Sequence, residues 1–164
     1  MIFAIDPGPE KSGYVEYDEI NRIIQTSIIC DNNDMLRTLK NKRHLKEHLA
    51  IEMIASYGMP VGASVFQTCV WIGRFIQAWD SEKQFTLITR NEVKNALCYS
   101  SKAKDSNIRQ AIIDLFPATG GGKVPQIGTK GHPGPLYGVA GDMWSALAVA
   151  LSYDLQRKAG RGEK

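Results

Sequence analysis

Several features that would assign this chain quickly are missing from it. Cysteine is scarce: Cys30, Cys69 and Cys98 are odd in number and far apart. They fit neither a disulfide framework nor a zinc cluster, and they point to a reducing, cytoplasmic setting. The three histidines, His44, His48 and His132, show no metal-ligand spacing. No apolar run approaches the roughly 18 residues of a membrane span, so no membrane is expected as a partner. Met1 leads straight into an apolar segment without the basic stretch of a secretory signal. There is no internal repeat, no low-complexity tract and no linker. Excess charge of one sign is lacking too, because the formal net charge of +3 is too small to imply nucleic acid. What remains is an ordinary globular composition, and 164 residues suffice for one domain with a real core but not for two large ones.

The distribution of charge says more than its sum. Arg37, Lys40, Lys42, Arg43 and Lys46 cluster in one segment, and Arg90, Lys94, Lys102, Lys104 and Arg109 in a second. Arg157, Lys158, Arg161 and Lys164 gather at the end. Such groups neutralise a phosphate backbone in some proteins and are plain solvated helix faces in others.

Residues 2–5 form an apolar run that ends in Asp6 and a Pro7-Gly8 break, and Gly13-Tyr14 starts a second run. This spacing predicts a buried strand, a tight turn and a return strand. Residues 15–17 and 22–29 extend the pair into an antiparallel meander around the polar turn 18–21. Asp31, Asn32 and Asn33 are N-cap candidates for a helix through Met35, Leu36 and Leu39. A short apolar run over 48–53 reads as a buried strand containing Glu52. Val61, Val65, Thr68, Ile72, Ile76 and Trp79 keep helical spacing, and 85–89 is a fifth strand. A short helix over 90–97 follows, then one capped by Asp105 or Ser106 and running through Ile108, Ile112 and Leu115. Residues 117–141 are a Gly/Pro-rich loop, and loops of that length are usually functional or disordered. An Ala/Leu-rich helix runs from 142 to about 157. The expectation is a single α/β domain over 1–158 with a basic tail over 159–164. Its five-stranded mixed sheet has three antiparallel strands, then parallel strand–helix units, with helices on both faces.

Three acidic residues sit in this pattern where solvated charge is unexpected. Asp6 ends the first strand, Glu52 lies inside an apolar run, and Asp142 starts an otherwise apolar helix. A buried carboxylate without a partner is costly, so each needs a cation. If the first and fourth strands are parallel neighbours, Asp6 and Glu52 leave the same sheet edge and Asp142 closes a triangle. Carboxylates without His or Cys suit Mg²⁺ or Mn²⁺, and two such ions activate water for phosphodiester hydrolysis. Each residue also has a plainer role: Asp6 as a turn cap, Glu52 as a salt-bridged core residue, Asp142 as a helix cap.

Three segments carry a resemblance: Ile5-Asp-Pro-Gly-Pro-Glu-Lys-Ser-Gly13, Ala50-Ile-Glu-Met53 and Gly141-Asp-Met-Trp-Ser-Ala-Leu-Ala-Val-Ala150. In this order and spacing the chain resembles the RuvC-type Holliday junction resolvases of the ribonuclease H-like superfamily. Val93-Lys94 and Ala103-Lys104 look like that family's basic, DNA-contacting region. The resemblance implies a homodimer that nicks two opposed strands of a four-way DNA junction with Mg²⁺ or Mn²⁺, leaving a 5′-phosphate and a 3′-hydroxyl. It places Asp6, Glu52 and Asp142 on metal-ligand positions. Where the family commonly carries a further acid, this chain has Ser145, a weak uncharged ligand, which puts the expected pair of ions in question. The implied DNA contacts are Lys94, Lys102, Lys104 and Arg109, joined by Lys123, Lys130 and His132 on a loop expected to be mobile without DNA.

Other readings stay open. A related nuclease acting on flapped or branched DNA or RNA would share these residues, as would a non-catalytic junction binder. Actin-like ATPases begin similarly but need two such domains. Gly120-Gly-Gly-Lys123 lacks phosphate-loop spacing because Val124 follows the lysine, so no nucleotide cofactor is expected. Tyr57, Phe66 and Trp71 are candidates for an aromatic wedge between bases or for core and dimer packing. Cys69 is expected to be inert packing.

Overall fold

A computed structural model of the chain describes residues 1–43, 47–56, 58, 61–80 and 84–161. Five strands form one mixed sheet: β1 (Ile2–Asp6), β2 (Lys11–Asp18), β3 (Ile23–Asp31), β4 (His48–Met53) and β5 (Phe85–Thr89). Their order is β3-β2-β1-β4-β5, with β1–β2 and β2–β3 antiparallel and β1–β4 and β4–β5 parallel. The helices are α1 (Asn32–Lys42), α2 (Ala63–Trp79), α3 (Arg90–Cys98), α4 (Asp105–Leu115) and α5 (Met143–Arg161).

Both faces of the sheet are covered, which explains why β1 and β4 read as apolar runs rather than as alternating strands. Phe3, Ile5, Leu49 and Ile51 face one way, onto Met35 and Leu39 of α1 and Ile72, Phe75 and Trp79 of α2. Ile2, Ala4 and Ala50 face the other way, onto Ala146–Leu151 of α5 and the apolar stripes of α3 and α4. Alternation therefore sends Asp6 and Glu52 to the α5 side.

Local chemistry fixes the element ends. The Asp31 side chain accepts the Asn33 N–H at the start of α1. Thr89 and Glu92 close a capping box at the start of α3. The turn after Asp6 is held from below: the buried Ser12 hydroxyl donates to Asn32 Oδ1 at 2.6 Å, and Asn32 Nδ2 donates to the Gly8 carbonyl. Strand β2 starts earlier than expected, at Lys11 rather than Gly13, because Lys11 and Ser12 already pair with Asp31 and Cys30 of β3 before Gly13 meets Asp6 of β1.

Four expectations change. Helix α2 begins at Ala63, two residues after Val61. Helix α5 continues to Arg161, so residues 159–161 are helical rather than tail, and 162–164 lie outside the described residues. Cys69 is exposed on α2 instead of packed. The segment 117–141 is folded on itself rather than a loose tether. Gly121 N–H donates to the His132 carbonyl, Gly134 N–H to Ile127 and Leu136 N–H to Gln126, while Gly128 bridges Pro133. A Cβ on Gly120 would lie 2.6 Å from the Gly134 nitrogen, so only glycine permits this crossing of strands. Leu136, fully buried, anchors the segment in the core. Among the described residues no helix is long and apolar enough to cross a membrane.

Candidate active site

Asp6 is the last residue of β1, and its cross-strand partner on β2 is Gly13. The last parallel pair between β1 and β4 is Ile5 with Ile51, so Asp6 and Glu52 follow it side by side at the carboxyl ends of adjacent strands. Asp142 arrives from the other direction. It immediately precedes α5, and its carbonyl accepts the Ala146 N–H at 3.0 Å. A Cβ on Gly13 would sit 2.5 Å from that same carbonyl oxygen. The missing side chain on β2 is thus what lets the Asp142 backbone lie against the strand that pairs with Asp6.

The electrostatics couple these groups two at a time. Burial, then the Asp142 charge, push the Asp6 carboxyl up to about 6, against a hydrogen bond from Ser145 and the pull of Arg90. Burial, then Asp6, push Glu52 up to about 7, with Arg90 opposing and Asp105 adding to the rise. Asp142 itself is exposed, so the third carboxylate lies at the rim of the site and not inside it. Among the described residues no three acidic, His or Cys side chains stand close enough together to hold one ion. The expected triangle is not drawn together: the electrostatics couple Asp6 with Asp142 and Glu52 with Asp6, as two pairs. In chemistry the donor set fits a hard divalent cation: the half-buried Asp6 and Glu52 carboxylates and Asp142 at the rim, whose mutual repulsion an added cation would relieve.

Arg90 is a site residue that the sequence assigned only to a basic cluster. Its guanidinium lies 3.5 Å from Glu52 Oε2 and 2.6 Å from Asp105 Oδ1. The strand register explains why. Glu52 pairs with Ile88 and Met53 with Thr89, so the residue after Thr89 emerges at the same sheet edge as the acids. Burial would lower the Arg90 pKa, but Asp105 and Glu52 together hold it above its usual value.

Two adjoining cavities meet at Arg90. One, about 240 Å³, is lined by Asp6, Pro7, Glu52, Met53 and Arg90 among others. The second, about 390 Å³, includes Arg90, Asp105, Arg109, Trp144 and Ser145. Arg109 lies over the Trp144 ring at 4.7 Å, which brings this predicted DNA contact to the edge of the site. A larger cavity, about 890 Å³, is bounded by Tyr17, Arg22, Tyr99 and Lys158 and touches none of the three acids.

The remaining candidates are dispersed. Lys102 and Lys104 are exposed between α3 and α4, and Lys94 is half-buried on α3. Lys123, Lys130 and His132 are exposed on the folded 117–141 segment. His48 is half-buried, stacked on Tyr153 and in contact with Thr86, so it belongs to the packing. Trp71 stacks on Phe75 and under Arg74, whereas Phe66, Cys69 and Val70 form an exposed strip on α2. His44, Lys46, Tyr57 and Lys164 lie outside the described residues.

The sheet order, the helices on both faces and the acids at the ends of β1 and β4 define a ribonuclease H-like fold of the RuvC type. Two solved structures show the likeness in detail. Thermus thermophilus RuvC superposes with a TM-score of 0.65 at 16% identity, over 97% of this chain and 96% of that one. T. thermophilus RuvC in complex with a Holliday junction substrate superposes with a TM-score of 0.68 at 16% identity, over 97% and 95% of the two chains. No protein-family model matches the sequence, and no curated protein matches it either.

Proposed function

We propose that the chain is a divalent-metal-dependent endonuclease that resolves four-way DNA junctions by paired nicking. The observation that supports this best is the acid cluster at the carboxyl ends of β1 and β4, in a fold whose Thermus counterpart has been solved on a Holliday junction substrate. Asp6, Glu52 and Asp142 would hold Mg²⁺ or Mn²⁺, with the Ser145 hydroxyl as a minor neighbour. Such an ion, when bound, makes water a better nucleophile and offsets charge on the departing oxygen. Asp6, shared by both carboxylate pairs, orients the attacking water in line with the scissile bond. The products are a 5′-phosphate and a 3′-hydroxyl.

Lys94, Lys102, Lys104 and Arg109 bind the phosphate backbone, and Lys123, Lys130 and His132 present a second basic surface from the folded 117–141 segment. A two-fold junction offers two equivalent scissile strands, and a C2 homodimer matches that symmetry. The exposed Phe66, Cys69 and Val70 strip on α2 is the face for such pairing. The test is to incubate end-labelled four-way junction with protein and Mg²⁺ and map the cuts. Symmetry-related nicks on opposed strands are expected. Stronger cleavage of a flap, a linear duplex or an RNA–DNA hybrid would assign the related nuclease activity instead. Tight junction binding without metal-dependent turnover would leave only a binding protein.

A further inference from the structure

Three carboxylates and a metal do not account for two features of the acid cluster. The position one helical turn after Asp142 holds Ser145, and a guanidinium, Arg90, is already seated among the acids. Arg90 is the first residue of α3, and the Thr89–Glu92 capping box fixes where its side chain starts. One hand is tethered to Asp105 at 2.6 Å. The other faces Glu52 at 3.5 Å, longer than the roughly 2.7–2.9 Å of a well-formed charge-assisted bond, so this hand is weakly committed. The guanidinium also forms part of the wall of both cavities, the acid one and the one lined by Ser145 and Arg109. Arg90 is thus the cation placed against Glu52, and it shares its charge with Asp105, whose carboxylate is 81% exposed.

We propose that Arg90 takes the role of a second divalent ion, turning from Glu52 onto a non-bridging oxygen of the scissile phosphate while one metal is held at Asp6. This rests on the nuclease reading above. The planar fork of arginine suits a phosphate while Asp105 keeps the other hand in place, and a fixed positive group at the developing charge is an effective source of transition-state stabilisation. Bond changes are those of hydrolysis. The water oxygen bonds to phosphorus, the bond from phosphorus to the 3′-oxygen breaks, and its electron pair leaves on that oxygen, which takes a proton from solvent. Water's displaced proton also leaves to solvent. Arg90 keeps its proton throughout. In this scheme Ser145 is not a defective ligand, because no second ion needs one.

The test uses the full chain with Arg90→Ala, Arg90→Gln and Arg90→Lys, each checked by thermal melting. Mn²⁺ binding without DNA, counted by electron paramagnetic resonance, is expected to give one tight ion per protomer. Arg90→Ala should tighten that ion by removing the competing cation at Glu52. In single-turnover nicking at saturating Mn²⁺ and DNA, Arg90→Ala and Arg90→Gln should each lose about 100-fold with DNA affinity little changed. Arg90→Lys should keep part of the rate, and added guanidinium should restore the alanine variant but not speed the wild type. Adding Ser145→Asp to Arg90→Ala should bring in a second tight ion and regain rate. Two tight ions in the wild type, or Arg90 variants that nick within a factor of about three of it, would overturn the proposal. Should the wild type cut another nucleic acid and not junctions, the junction reading fails and the same comparison is run on that substrate. A wild type that cleaves no nucleic acid sinks the nuclease reading, and Arg90's catalytic role with it. The Mn²⁺ count and its response to Arg90→Ala then still decide whether Arg90 competes for the ion.

Discussion

At the start of β1 the Met1 ammonium lies 2.9 Å from Glu19, as an ion pair without hydrogen-bond geometry, and 2.7 Å from Glu47. Arg157 approaches both Glu19 and Asp154, and Lys158 donates to Asp154 at 2.7 Å. At the finish of the same strand, five residues on, Asp6 and Glu52 are half-buried, and among the described residues the cation placed against them is Arg90, at 3.5 Å from Glu52. Both clusters hold carboxylates that are withdrawn from solvent at one end of the sheet or the other. The first is neutralised by the chain itself, and the second is left short of positive charge. Such a deficit costs stability, and under the proposed function it is where a cation from outside would be received.

The largest way to test that contrast is Asp6→Asn. Nicking should fall by about 10³-fold or more, junction binding should survive, and the metal-free protein should melt higher because a repelled charge has gone. A lower melting temperature with full activity would remove Asp6 from the metal site. Gly13→Ala comes next. Its methyl group meets the Asp142 carbonyl, so stability should drop by about 1–3 kcal/mol and nicking by about 100-fold as the rim carboxylate shifts. At the paired end, Arg157→Ala should cost about 1–3 kcal/mol in a denaturant melt and leave nicking within twofold.

The last test is of pH dependence. Asp6 and Glu52 titrate near 6 and 7 when folded and near 4 when unfolded, so between those limits the folded state holds more protons. Stability of the metal-free protein therefore falls as pH rises from about 4.5 to 7.5. A melting series in chelator should show a loss of several degrees over that range, and saturating Mg²⁺ should flatten it.

Much of this was legible from residue order. The apolar runs at 2–5 and 49–51 announced strands covered on both faces, and Asp6, Glu52 and Asp142 stood out because each interrupts apolar context. Arg90 did not stand out, because its contact with Glu52 spans 38 residues and depends on how β5 registers with β4. The fold of 117–141 was hidden for another reason. Glycine and proline content reports that regular structure is absent, while the crossing that Gly120, Gly128 and Gly134 permit is a matter of which backbones touch. Likewise the sequence marked Gly13 as the start of a strand, and its use is as the seat for Asp142.

One consequence follows from α5 being a single uninterrupted element. Asp142 stands just ahead of it, and Asp154, Arg157 and Lys158 are bolted down near its far end, with Ala146, Ala148 and Ala150 letting it lie close on the sheet. The helix is a ruler. At about 1.5 Å per residue, the anchor at one end sets where the carboxylate falls at the other. Inserting or deleting one alanine between them would shift that carboxylate by about 1.5 Å and turn it by about 100° around the axis. Every residue along the ruler is therefore part of placing Asp142, including those several turns away from it.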